Sequence, residues 1–255
     1  MISFDYSGKV VLVTGAGRGL GFSIAQAFHR AGATVLVNDR TEDIVTAAIA
    51  ALGGGGRLLA AAADLGSGDG PEAAMQPALA LGRLDILVNN AAVNVERPAL
   101  ETDEAHWDLH LAVNLKACFF TVRQALPLLA RAQGSVINIA SELGLHAIPN
   151  NVAYVAAKHG LVAMTRALAM ELAPRHIRVN ALCPGTMDTE LMRDCAEASG
   201  DAASYYGAFA RYHPLGRLAS PAEIADFVLC LASPAAGFMT GAALAIDGGS
   251  TAGRR

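Results

Sequence analysis

KVVLVTGAGRGLGFSIAQAFHRAG, Lys9 to Gly32, is the stretch that decides the fold. Its first apolar residues run without a polar break, as in a strand buried on both faces, and FSIAQAFHRAG repeats its apolar residues at helical spacing. Between them lies TGAGRGLG, Thr14 to Gly21. Glycines at that point let a backbone approach a pyrophosphate, and the helix that follows presents unpaired N–H groups at the positive end of its dipole. The order of strand, glycine loop and helix suits a bound nucleotide. The general dinucleotide fingerprint GxGxxG nevertheless fails in both registers, since Leu20 and Phe22 stand where a last glycine is required. Gly15, Gly19 and Gly21 give GxxxGxG instead, and Gly15, Gly17, Arg18, Gly19, Leu20 and Gly21 are the expected contacts.

Further runs of the same kind recur at ATVLVN, LDILVNN, GSVINIA and IRVNALC, with a shorter one in RLLAAAAD before Asp64 and a last one in ALAID before Gly248. Alanine- and leucine-rich segments of helical spacing separate them. Strands alternating with helices predict an α/β single-domain Rossmann fold over residues 1–255, a doubly wound parallel sheet of about seven strands with right-handed crossovers. Ligands then bind beyond the carboxyl ends of the strands. The run Gly53 to Gly56 follows a helix and precedes a strand, so it reads as a connection. The polar, mixed segment Asp194 to Pro214 is the expected mobile part of a substrate-loop insertion at about 187–214.

With 255 residues, 53% of them hydrophobic, the chain is long enough to bury such a sheet on both faces. A net charge of -4 provides no basic stripe for nucleic acid and no polybasic patch for a lipid surface. Cys118, Cys183, Cys195 and Cys230 form no CxxC pair, so they read as reduced, mostly buried thiols, and no metal is expected. MISFDYSGKVVLV does not read as a signal segment, and no apolar run approaches the ~20 residues needed to cross a bilayer. A cytoplasmic location is the expectation.

Asp39, in VLVNDR, ends the second strand, where an acid meets the adenosine ribose hydroxyls in such folds. A carboxylate there accepts from both hydroxyls and repels a 2′-phosphate, which favours NAD over NADP. Arg18 and Arg40 pull the other way, since either guanidinium could grip a phosphate. Later in the chain, YVAAK, Tyr154 to Lys158, places a phenol and an amine on one helix face. A cation about 4 Å away at an effective dielectric near 20 would lower the phenol pKa by roughly 3 units before desolvation opposes it. Tyr154 then becomes a usable acid/base.

TGAGRGLG, NNAA at Asn89 to Ala92, Asn114 in LAVNLKA, Ser141 and YVAAK together resemble the short-chain dehydrogenase/reductase family. Asp64, CPGTMDT at Cys183 to Thr189 and DGG at Asp247 to Gly249 fall in the family's order, so the resemblance spans nearly the whole chain. Two positions depart from it: Ala92 stands where glycine is usual, and Cys183 precedes Pro184 where Asn or Ser is common. The resemblance implies that Tyr154 exchanges a proton with the substrate oxygen. It implies that Lys158 depresses the tyrosine pKa and holds the nicotinamide ribose, that Ser141 donates to the same oxygen, and that Asn114 holds a water linking Lys158 to solvent. It further implies cofactor contacts at Asp64, Leu65, Asn90, Ala91, Pro184, Gly185, Thr186 and Thr189, beside Tyr154 and Lys158.

Ser141, Glu142, Leu143, His146, Asn151 and Tyr154, with Asn94, are expected to line the substrate pocket, and their polarity suits a polyol, sugar acid or small hydroxy acid. Arg211 is a candidate carboxylate clamp, against the plainer reading of a solvated arginine. His146 and His159 are given no catalytic part. The expected function is NAD-dependent interconversion of a secondary alcohol and a ketone. An NADPH-dependent 3-oxoacyl-[acyl-carrier-protein] reductase and a non-catalytic nucleotide sensor are the alternatives. Small and apolar residues at about 104–131 and 152–172 exceed what one sheet needs, and with the resemblance they imply a homotetramer.

Overall fold

The computed structural model describes residues 4–253. In chain order it contains β1 Val10–Val13, α1 Gly19–Arg30, β2 Thr34–Val37, α2 Glu42–Ala51, β3 Leu58–Ala60, α3 Gly70–Leu81 and β4 Ile86–Asn89. Then follow α4 Glu104–Leu111, α5 Ala117–Ala132, β5 Ser135–Ile139, α6 Val152–Leu172 and β6 Arg178–Pro184. The chain continues through α7 Glu190–Ala198, α8 Ala202–Ala210, α9 Pro221–Ala232 and β7 Ala243–Ile246. The strands form one sheet in the order β3-β2-β1-β4-β5-β6-β7. Every neighbouring pair is parallel.

Burial of both sheet faces follows from the alternation within each strand. Val11 and Val13 of β1 and Val35 and Val37 of β2 pack with Ile24 and Phe28 of α1 and Val228 of α9. Val10, Leu12 and Leu36 point to the other side, where Met75 of α3 and Leu128 and Leu129 of α5 cover them. Each such side chain contributes roughly 1.5–3 kcal/mol on burial. Two cores thus clamp the sheet. From β1 the chain winds outward to β2 and β3, then returns across β1 to β4, with Val13 in register with Val37 on one side and Val88 on the other. That reversal opens a crevice at the carboxyl ends of β1 and β4.

One expectation changes. Cys118 and Cys183 are buried, but Cys195 is exposed on α7 and Cys230 is only partly covered on α9. The segment expected as a mobile insertion is largely helical. Thr189 accepts from the Met192 amide at the head of α7, and Asp201 accepts from the Ser204 amide at the head of α8. Both are ordinary N-cap bonds. Among the described residues no helix is long and apolar enough to cross a membrane.

Candidate active site

The glycine loop closes around Asp39. Asp39 Oδ2 accepts from the Gly17 amide at 2.9 Å and Oδ1 from the Arg40 amide at 2.8 Å. A Cβ on Gly17 would lie 2.6 Å from that carboxylate, and one on Gly21 would lie 2.1 Å from the Gly15 carbonyl oxygen. Glycine is therefore required by close approach at both positions. Helix α1 has no side-chain cap and no acid in its first turn, so its end remains electropositive. A carboxylate has come to it from elsewhere: Glu190 Oε2 accepts from the Gly19 amide at 3.2 Å. An anion on this helix end is what the fit of a pyrophosphate requires. The residues present fit a dinucleotide, with Arg18 and Arg40 both exposed at the mouth.

Asn90 and Ala91 build the facing wall. Both backbone amides donate to Thr14 Oγ1, and Asn90 Nδ2 donates to the carbonyls of Thr14 and Gly15. Their role is to tie the turn after β4 to the glycine loop. Asp64 is exposed and accepts from the Gly66 amide, while Leu65 is buried beside it. Across the crevice Pro184 ends β6, and the Gly185 amide donates to Ile246 O at 3.0 Å. The Thr186 amide donates to His213 Nε2 at 3.2 Å, and the opposite ring nitrogen bonds Asp247 O at 2.7 Å. Those partners fix the tautomer with the proton on Nδ1.

Helix α6 carries Tyr154 and Lys158 one turn apart, with Lys158 Nζ 5.6 Å from the tyrosine ring centroid. The ammonium is buried and donates to Ile139 O at 2.9 Å, so it also fixes the end of β5. Ser141 lies two residues past that strand and accepts from the Leu143 amide, which starts a short turn Glu142–Gly144 packed on α6. A buried polar chain sets the height of α6 against the sheet. Asn89 Nδ2 donates to Asn138 Oδ1, Asn138 Nδ2 to Thr165 Oγ1, and Thr165 Oγ1 to Leu161 O.

The expected lowering of the tyrosine pKa is not found. Tyr154 as a whole is half-buried, but its hydroxyl is deeply enclosed. Desolvation pushes it up to about 12, with the Ser141 hydroxyl pulling it down and the Glu142 carboxylate adding to the rise. Lys158 is pushed down to about 8, again chiefly by desolvation, with Cys118 and Cys183 opposing. The helical spacing fixed which groups meet, whereas the enclosed site disfavours charge on both of them.

Asn114 sits in a widened π turn at 112–116, between α4 and α5. Its side-chain amide is fully buried and spent on one residue: Oδ1 accepts from the Val93 amide and Nδ2 donates to the Val93 carbonyl, both at 2.9 Å. The side chain thus anchors the loop after β4. Thr189 likewise uses its hydroxyl oxygen to cap α7. His146 is half-buried, Asn151 and Leu143 are buried, Asn94 is exposed, and Arg211 is exposed at the end of α8. Two residues escaped the sequence. His110 is fully buried, accepts from the Val95 amide through Nε2, and sets its ring edge-on to Tyr154 at 6.4 Å. His213 is the other, and in both cases the partners are too distant in sequence for any spacing rule.

A family model described as enoyl-(acyl carrier protein) reductase matches residues 15–251. The trans-4-hydroxycyclohexanecarboxylate dehydrogenase of Sinomonas cyclohexanicum is 38% identical, covering 96% of this chain and 93% of its own. The 2-(S)-hydroxypropyl-CoM dehydrogenase 3 of Xanthobacter autotrophicus is 36% identical over 96% of this chain and 97% of its own. Among solved structures, the L-sorbose reductase of Gluconobacter frateurii, complexed with NADPH and L-sorbose, superposes with a TM-score of 0.94 at 29% identity, over 99% of this chain and 100% of its own. The chain belongs to the short-chain dehydrogenase/reductase family. It is an oxidoreductase of Rossmann fold in a family whose relatives act on hydroxyl groups.

Proposed function

We propose that the protein interconverts a small polar secondary alcohol and its ketone with NAD as the hydride carrier. When bound, the dinucleotide supplies or accepts the hydride at its nicotinamide ring, and everything else falls to the chain. The first turn of α1 and the glycine loop would hold the pyrophosphate. Asp39 would take the adenosine ribose, with Asp64, Leu65, Asn90 and Ala91 contributing to the adenosine end. Lys158 and Tyr154 would take the nicotinamide ribose, with Pro184, Gly185, Thr186 and Thr189 contributing to the nicotinamide end.

Tyr154 gives its hydroxyl proton to the carbonyl oxygen in reduction and takes it back in oxidation, and Ser141 donates to the same oxygen as charge develops there. Lys158 supplies the cation that makes loss of that proton tolerable, and Asn114 fixes the loop against which the site is built. The observation that carries the reading is the meeting of Ser141, Tyr154 and Lys158 beside the crevice at the end of β4.

For NAD the support is Asp39, already positioned by two backbone amides. The NADPH in the sorbose reductase structure and the exposure of Arg18 and Arg40 favour NADP as the second reading. Titration of NADH against NADPH decides between them, and tighter NADPH would reverse the assignment of Asp39. A screen of polyols, sugar acids and hydroxy acids followed by NADH absorbance tests the reaction. Tyr154→Phe should keep cofactor binding and lose turnover, and full turnover in that variant would remove the catalytic assignment. The proposal includes a cytoplasmic homotetramer. Leu109 of α4, Phe119 of α5 and Val152 of α6 are apolar and at least 40% exposed, and a monomeric mass in solution would contradict it.

A further inference from the structure

The residue that follows Ser141 is an acid, and it is buried: Glu142 is 9% exposed. Its Oε2 accepts from the Ser250 hydroxyl in the loop after β7 and lies 3.7 Å from His146 Nε2. That hydrogen bond ties Glu142 to the loop after β7. Among the described residues the His146 ring is its only ion-pair contact. Its field reaches the reacting oxygen, since it acts on the Tyr154 hydroxyl and disfavours negative charge there.

A hydroxyl-rich molecule adds no charge beside Glu142. A carboxylate next to the reacting carbon would instead face Glu142 in a poorly solvated site. Arg211, the candidate counter-charge, is exposed at the end of α8.

We propose that Glu142 is a specificity-determining residue, selecting an uncharged hydroxylated substrate and rejecting one with an acid group beside the reacting carbon. This rests on the alcohol and ketone reading above. It narrows the polar class to neutral polyols and ketoses. Like charges brought together in such an environment should reduce kcat/KM by about tenfold or more.

The test compares a neutral ketose or polyol with the matching sugar acid, in the wild type and in Glu142→Gln. The wild type should prefer the neutral partner by about tenfold or more, and in Glu142→Gln that ratio should fall to within about threefold, through a lower KM for the acid. An unchanged ratio, or a wild type that prefers the acid, would overturn the proposal. If Glu142→Gln does not fold, the wild type decides alone: matched inhibitors should show the neutral analogue binding about tenfold more tightly than the acid, and equal inhibition would overturn it. Failure of the underlying reading has a different signature, namely no Tyr154-dependent turnover with either partner, and it would take the proposal with it.

Discussion

The Glu190 carboxylate, carried by the first turn of α7, accepts from the Gly19 amide at 3.2 Å, so two elements some 170 residues apart share the positive end of α1. A pyrophosphate bound to the same N–H groups must displace this acid or lie against it. Charge at a helix terminus is worth roughly 0.3–1 kcal/mol near the surface. Glu190→Gln should accordingly tighten NADH binding by about two- to fivefold. Fluorescence titration measures this directly, and weaker binding would mean that Glu190 helps to build the site.

Lys158 should cost stability that function requires. Its pKa is lowered from 10.5 to about 8 by burial, so the unfolded chain binds the proton more tightly than the folded one. The penalty is complete below pH 8 and fades as pH rises from 8 to 10.5, which is the sign for a depressed basic group. Its size is of order 3 kcal/mol. Lys158→Met removes that penalty but leaves the Ile139 carbonyl without its donor, at about 1–3 kcal/mol. Its stability relative to wild type should therefore be higher at pH 7 than near pH 10, and turnover should be lost. Urea denaturation at the two pH values checks the difference, and a relative stability that rises from pH 7 to pH 10 would contradict the argument.

For Asn114 the expected effect is on the loop after β4. Asn114→Ala leaves the half-buried Val93 amide and carbonyl without their partners. Unmet groups of this kind cost about 1–3 kcal/mol each. The variant should melt several degrees lower and bind NADH more weakly, both measurable by thermal unfolding with and without cofactor. Asn114→Asp should not recover the loss at neutral pH, because its second carboxylate oxygen would face the Val93 carbonyl to which Nδ2 now donates.

The central strands of the described residues were legible because a strand buried on both faces leaves a dense apolar run such as VVLV at Val10 or SVINI at Ser135. The less buried edge strands β3 and β7 were legible as shorter runs of the same kind. The glycine loop was legible for a similar reason, since Gly17 and Gly21 are required by contact with Asp39 and Gly15. Protonation states were not. Helical spacing placed Lys158 beside Tyr154, but the dominant effect on both is desolvation, which depends on everything packed around them. Helices α7 and α8 lie within the segment read as an insertion, and their caps Thr189 and Asp201 are residue types that favour a helix start. His213 was invisible, since its ring joins Thr186 to Asp247, 27 residues before it and 34 after.

Two glycine substitutions in helices should have opposite outcomes. Alanine is favoured over glycine in a helix interior by about 1 kcal/mol, and Gly21 in α1 and Gly207 in α8 both occupy helical positions. At Gly207 an added Cβ meets nothing within 4 Å, so Gly207→Ala should leave the melting temperature unchanged or raise it. At Gly21 the added carbon would lie 2.1 Å from Gly15 O and 2.4 Å from Asn90 Nδ2. Neither group can withdraw freely, because Asn90 Nδ2 is bonded to the carbonyls of both Thr14 and Gly15. Forcing the contact should cost about 1–3 kcal/mol beyond the helix gain. Gly21→Ala should therefore lower the melting temperature by several degrees and weaken NADH binding at least tenfold. Thermal melts and titration of the pair check this, and a stable, tightly binding Gly21→Ala would show that the loop does not need to lie so close to α1.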